Sequence, residues 1–577
     1  MKLGGIDMSI DQTPKQLNDL GDKYFYGKDT YKNIELAFTY YKKAADLNNP
    51  VGYFNVGKYF IQKQQYREAI DYLLKAKDLG YTLAMVKLSD MYLNGLGYRK
   101  NKKKAFKMLQ DAKEAQDVFA FHRLGVFYLK GIGCRKDESK AKALFERSAK
   151  SNVARGMYHL GWLYLNAKKI KRDYKNGFFY LDKAAEKADL EAINYLINLY
   201  HNSHPYLKKK SVLYLQEMEF YYTELLAKTM NEEALMKVAF AYYEGNEFTK
   251  INYEKAIGYF SDLVKLDNTL GYLGLGLSYL YAKGVEEDFV KAKEYLEIAQ
   301  TRGNHKAMNA LGEIYRLGYG VEINYQRAKD YYFEAAKNNE TDALINLGLL
   351  HYRNQIQGAS MKMAFQYINT ANEKGNQLAH YWLGIFYEKG VGVKNDIKLA
   401  ISEFEKAIEI GNEGAKYKYA QLLYQNIRTK KMSNKKRNVI YLQIKNLLIE
   451  YINSKNTSEI NKTYSMYMLG DLFKLDDFSL KSDKISRYYY ELAASKKHSK
   501  SMVRMFDILR DKEPKNALKY LEEACKHPID GESFYRMGCL YLDGFLSIEK
   551  DLQKAREYLS KASQLNYLPA KEKLIMI

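Results

Sequence analysis

Residues able to do chemistry are sparse in this chain, and their spacing argues against catalysis. Nine histidines are spread over 577 residues, none in the HExxH arrangement that puts two zinc ligands and a general base on one helical face. The tightest pair, His201 and His204 in the word HNSH, has no carboxylate or cysteine at ligand spacing. Neither a glycine-rich phosphate loop ending in Lys-Ser or Lys-Thr nor a GxSxG nucleophile elbow occurs. Cys134, Cys525 and Cys539 make neither a CxxC pair nor a disulfide framework. Carboxylates are abundant, but on the outer faces of many helices they neighbour one another without acid–base work. The expectation is a protein with no catalytic residue, no metal and no cofactor. An enzymatic reading would have to place its site in the irregular stretch between residues 426 and 461.

What the chain concentrates is positive charge, a formal +22. Lys, Asn, Ile and Tyr are all abundant, as in chains from AT-rich genomes, so codon usage accounts for part of the lysine excess and charge alone is weak evidence. Placement says more. Five basic words, RKNKKK at 99–104, CRKDESK at 134–140, KKIKRDYK at 168–175, KKK at 208–210 and RTKKMSNKKR at 428–437, stand at equivalent places along the chain. If those places share one edge of the fold, Lys102, Lys103, Lys104, Lys208, Lys209 and Lys210 are candidates for an anion-binding edge. Its ligand would be a phosphate backbone, an acidic protein or a membrane headgroup layer.

The elements that position these residues follow from composition and periodicity. With 47% hydrophobic and 28% charged residues but only 6 Pro, the chain has ample material for burial and favours helix. A single compact core is not expected at this length. No window approaches the run of about 18 apolar residues needed for a membrane span. Residues 1–15 read as a short N-terminal extension without the apolar run of a secretory signal. A reducing cytoplasm is the simplest compartment, and export without an N-terminal signal is the alternative.

The chain then repeats itself. Residues 311–336 read LGEIYRLGYGVEINYQRAKDYYFEAA and residues 383–408 read LGIFYEKGVGVKNDIKLAISEFEKAI. Taking the Gly of each LGxxY word as an anchor gives Gly21, Gly57, Ser89, Gly125, Gly161, Ile197, Ala239, Gly276, Gly312, Gly348, Gly384, Ala420, Gly470, Phe506 and Gly538, most of them 36 residues apart. A small anchor suits two helix backbones passing closely. With the apolar residue before it and the Tyr three residues after it, the anchor makes one stripe on a first helix, A. Glycine-containing turns such as GIG from Gly131, GYG from Gly318 and GVG from Gly390 cap that helix. A second helix, B, carries Ala about 16 residues after the anchor and again seven or eight residues later, as at Ala328 and Ala335. The chain reads as a stack of helical hairpins.

The word LGxxYxxGxGVxxDxxxAxxxYxxAA, clearest at 311–336 and 383–407, resembles the Sel1-like repeat of the tetratricopeptide-like superfamily, over roughly residues 16–577. The resemblance implies an all-α, right-handed superhelical α-solenoid of about fifteen helix-turn-helix repeats. Residues 16–455 would form its main body of about twelve repeats and 456–577 a C-terminal block, continuous with the first or set off by a linker. Two repeats depart from the pattern: the one anchored at Ile197 has HNSHPYLKKK in place of the glycine turn, and the one at Ala420 carries an insert through Asn461.

The resemblance also implies that helix A lines a concave groove. The positions facing it supply Phe119 and His122, then Tyr158, Trp162, Phe240 and Tyr243, and further on Tyr352, Tyr381, Tyr417 and Tyr424. They are too apolar for a merely solvated face, and packing between successive A helices would absorb some of them. A tetratricopeptide-type carboxylate clamp is only partly present, with Lys306 and Asn309 followed by Asp342 and Ile345. The expected function is therefore a non-catalytic protein–protein interaction scaffold holding an apolar peptide or helix in its groove. The alternative is a nucleic-acid or other polyanion-binding repeat protein using the basic edge.

Overall fold

A computed structural model describes residues 12–27, 30–429, 432–455 and 457–577. Among them are thirty-one α-helices and one 3₁₀ turn, Pro205–Leu207, with no β-strand and one isolated bridge between Phe545 and Ile548. Helices alternate as A and B, each A packing on the B that follows, as Val118–Lys130 does on Glu138–Lys150 and His305–Leu317 on Tyr325–Lys337. The expected alanine strip is the buried face of B: Ala37, Ala105, Ala141, Ala292, Ala328, Ala364 and Ala400 are all fully buried.

The anchor glycine has a more specific cause than close backbones. A Cβ on Gly125 would lie 2.5 Å from the Phe145 ring, and one on Gly312 2.5 Å from Tyr332. Gly384 faces Phe404 and Gly470 faces Tyr490 in the same way, at 2.6 Å. The large buried ring of helix B thus occupies the space a Cβ at the anchor would need. Gly161, whose Cβ would meet the Gly177 carbonyl at 2.8 Å, is a place where the backbones themselves close in. Where Ser89 replaces the glycine, its hydroxyl donates to the Ala105 carbonyl at 2.8 Å, so the buried polar atom is satisfied.

The turn from A to B is built twice over. Gly131, at φ 69°, caps its helix in the left-handed region, and Gly133, also at φ 69°, lies so close to the Lys102 carbonyl that a side chain there would collide with it. Where it is present, the second glycine seats its turn on the first turn of the preceding B helix, as Gly97 does at Tyr66 and Gly392 at Met361. Many B helices then start at an Asn or Asp whose side chain accepts from a backbone N–H in the first turn, as at Asn101, Asp137, Asp173, Asn324 and Asp396.

Packing divides the chain into two compact units, Met1–Ala299 and Gln300–Ile577. In the first, the departure at Ile197 is a 3₁₀ turn pinned by buried Leu207, followed by a B helix of 16 residues, Val212–Ala227. In the second, the insert expected after Ala420 is mostly helix, correcting its reading as an irregular segment. Asn434–Asn453 is a 20-residue B helix whose Tyr441, Ile444, Leu448 and Tyr451 form one buried stripe. Lys430 and Lys431 of the basic word there lie outside the described residues. Packing continues past residue 456: Tyr424 donates to Asp471 at 3.0 Å and Tyr441 to Asp477 at 3.2 Å.

Candidate partner-binding surfaces

In the first unit a cleft of about 370 Å³ runs across three A helices, Pro50–Gln62, Thr82–Asn94 and Val118–Lys130, and takes in the groove positions Phe119 and His122. Phe54, Leu83, Val86 and Phe119 give it apolar walls, and Lys58 and Lys87 stand at its rim. Phe119 is 45% exposed, unusually open for a phenylalanine. Arg123 is held against Asp90 by two hydrogen bonds of 2.9 Å, which fixes that part of the wall. His122, also lining the cleft, stacks at 6.3 Å on His159. Burial, reinforced by neighbouring Arg123 and Arg155, pushes His122 down to about 4; burial, with His122 and Arg155, pushes His159 down to about 3. Both rings are neutral near pH 7, so the cleft's positive charge comes from Lys58, Lys87 and the Asp90-paired Arg123.

The groove candidates divide by burial. Tyr243 is only 7% exposed and packs edge-on against Tyr253 and Phe260. Tyr417, equally buried, lies 5.5 Å from Tyr451. Those two rings belong to the interior of their hairpins. Tyr158, Trp162, Phe240, Tyr352, Tyr381 and Tyr424 are half-buried. Several also join one A helix to the next. Tyr158 meets Tyr195 edge-on at 6.5 Å, and Tyr352 lies 5.1 Å from Phe386 and accepts a hydrogen bond from Lys389 at 3.1 Å. The partial clamp is occupied internally: Asn309 accepts from Asn346, Asp342 accepts from Asn376, and Ile345 is buried.

The basic words of the first unit form one edge. Besides the seat of Gly133 on Lys102, the backbone N–H groups of Lys168 and Lys169 donate to Glu138 at 3.1 and 2.8 Å. The Tyr206 ring stacks on Tyr174 at 5.6 Å. Words 99–104, 134–140, 168–175 and 208–210 are therefore neighbours in sequence order. Lys102, Lys103 and Lys104 stand on the first turn of a B helix rather than in a loop, and with Lys208, Lys209 and Lys210 they are all exposed.

Sequence reasoning missed what some of the cations do. Lys104 lies over the Tyr92 ring at 5.6 Å, Lys291 over Tyr279 at 5.3 Å and Arg327 over Tyr315 at 4.2 Å. Tyr279 and Tyr315 in turn stack on Tyr295 and Tyr331 of helix B. A cation three residues into helix B recurring over the Tyr of LGxxY is visible in the sequence once the register is known. Likewise His201 has a carboxylate partner after all, Glu219 at 3.1 Å, supplied by the next helix 18 residues on.

Hairpins of this construction, with a small anchor, a glycine-seated turn and an alanine strip, define an α-solenoid of the tetratricopeptide-like class. More narrowly, the chain belongs to the Sel1 repeat family: the Sel1 repeat model matches residues 17–49, 51–81, 82–117, 120–153, 154–189, 232–261, 270–304, 305–340, 377–412, 463–498, 507–528 and 532–567. Sel1 repeat proteins generally mediate protein–protein interaction and are typically non-enzymatic. Similar solved structures include c5321, a protective antigen of uropathogenic Escherichia coli, at 22% identity and TM-score 0.45, covering 84% of this chain and 93% of that one. A Sel1 repeat protein from Oxalobacter formigenes is 20% identical at TM-score 0.29, covering 61% and 90%. The human IFIT1 dimer with PPP-AAAA is 18% identical at TM-score 0.34, covering 81% and 94%. Comparison with curated proteins gives no match. No described helix is long and apolar enough to cross a membrane.

Proposed function

We propose that the chain is a non-catalytic scaffold that holds an apolar peptide or helix of a protein partner along its A helices. The observation carrying this reading is the cleft over Phe54, Leu83, Val86 and Phe119, open to solvent and formed by three successive repeats at the groove positions. Half-buried aromatic side chains offer a large contact area at small rotamer cost. In this reading half-buried Trp162, Tyr158 and Phe240, on later A helices, would extend the contact, with buried Tyr243 stiffening its own hairpin. An acidic chain end is a poorer fit, since Asn309 and Asp342 are already paired.

Affinity capture from the source cell at low and high salt, with bound protein and nucleic acid both identified, tests the reading. A protein partner retained at 0.5 M salt is expected, because apolar contacts are not screened. Recovery of nucleic acid alone, lost at high salt, would overturn it and favour the basic edge as the main binding surface.

A further inference from the structure

Sixteen Lys and Arg side chains but only three carboxylates fall in the four neighbouring words 99–104, 134–140, 168–175 and 208–210. All three carboxylates are committed to the fold. Asp137 caps its helix by accepting from the Lys140 N–H at 2.9 Å, and Asp173 does the same for Asn176 at 3.0 Å. Glu138, 5% exposed, accepts from two backbone N–H groups of the next turn. All sixteen cations are exposed, and among the described residues only Lys136 and Lys140 of the sixteen come within 4.0 Å of a carboxylate, each at 3.9 Å. The edge thus carries a dense positive charge that the protein does not neutralise.

At one end of this edge a run of three lysines is flanked by exposed apolar side chains. The segment 206–213 reads YLKKKSVL. Leu207 is buried and anchors it, whereas Tyr206, Leu213 and above all Val212, at 71% exposed, face solvent around Lys208, Lys209 and Lys210. A nucleic acid would use the lysines and could stack on the tyrosine, but it offers nothing that buries a valine and a leucine. An anionic bilayer uses both: its headgroups attract the cations, and its interfacial zone takes up aliphatic side chains and a tyrosine with its hydroxyl left in water. We propose that this edge docks on an anionic phospholipid surface, with Tyr206, Val212 and Leu213 entering the interface and the other basic words lying on the headgroups.

The test is co-sedimentation of the full chain with unilamellar vesicles of pure phosphatidylcholine and of phosphatidylcholine with 30% phosphatidylserine, beside fluorescence anisotropy with a 30-nucleotide oligouridylate. Lys102, Lys103, Lys208 and Lys209 have neither a carboxylate nor a ring partner among the described residues, so their replacement by Ser leaves the fold intact, as the thermal melt would verify. Binding to the serine-containing vesicles and not to pure phosphatidylcholine is expected. The quadruple variant should lose more than about a hundredfold in affinity, since each lysine near such a surface is worth about fivefold. Val212→Ser with Leu213→Ser should lose about tenfold while keeping the salt dependence. No sedimentation of the parent with serine-containing vesicles would overturn the proposal. So would vesicle binding unchanged by both variants, or oligouridylate bound more tightly than the vesicles with the Val212→Ser, Leu213→Ser change without effect.

Discussion

At the scale of single residues, the fold rests on pairs rather than on individual side chains. Gly312 matters because Tyr332 lies over it. Gly312→Leu should therefore cost about 1 to 3 kcal/mol or more through overpacking, and hydrogen exchange should show the loss in its own hairpin and its neighbours. The stacked histidines His122 and His159 give a second expectation. In the unfolded chain a histidine takes up its proton near pH 6.5, whereas folded His122 and His159 resist until about 4 and 3. Their folded values are depressed, so the stability they carry is present above pH 6.5 and is lost as pH falls from there towards 4, by about 2 kcal/mol each at pH 5. Half-buried Asp90 and buried Asp189, whose carboxyls are raised by desolvation, act in the opposite sense at lower pH. His159→Phe should keep the stack on Phe145 and remove that residue's own share of the loss, about 2 kcal/mol between pH 7 and pH 5, measured by urea unfolding. Equal losses in parent and variant would refute that assignment.

At the scale of elements, the repeated word was readable because each of its residues has one job. The alanine strip, the apolar stripe and the capping turns could be placed from spacing alone. The partner of the anchor was not, since a glycine tells only that something comes close. The Tyr or Phe twenty residues later in the same word, at Tyr332 and Phe404, was the signal. The insert after Ala420 misled because its lysines and asparagines read as a loop, although Tyr441, Ile444, Leu448 and Tyr451 recur at helical spacing. Groove positions were legible as a set, but which of them face solvent depends on rings from other elements: Tyr253 and Phe260 enclose Tyr243, and Tyr451 encloses Tyr417. The cap at the start of helix B gives a clean test at this scale. Asn324→Ala removes the acceptor for the Arg327 N–H, 2.9 Å away, and should cost about 1 kcal/mol. Gly133→Ala should cost more, because its Cβ strikes a backbone carbonyl that cannot swing aside. A thermal melt in which the two variants rank the other way would count against the seated-turn account.

At the scale of the whole molecule, each hairpin contacts mainly its neighbours, so stability is close to a sum of local terms. Loss of protection confined to a few repeats around a damaged hairpin is the expected pattern, and uniform loss over all 577 residues would contradict it. The +22 charge is likewise divided: some cations sit over the tyrosines of the repeat, while the edge of the first unit keeps exposed lysines that the fold does not use. The groove, not that edge, is the claim on which the scaffold reading stands. It is tested most directly by the partner's affinity for Phe119→Ala, Trp162→Ala and Phe240→Ala proteins that remain helical and melt normally. The expected result is a loss of about 2 kcal/mol or more for each, undiminished by added salt. Affinities all within about twofold of the parent, less than about 0.4 kcal/mol apart, would contradict the groove as the site of recognition.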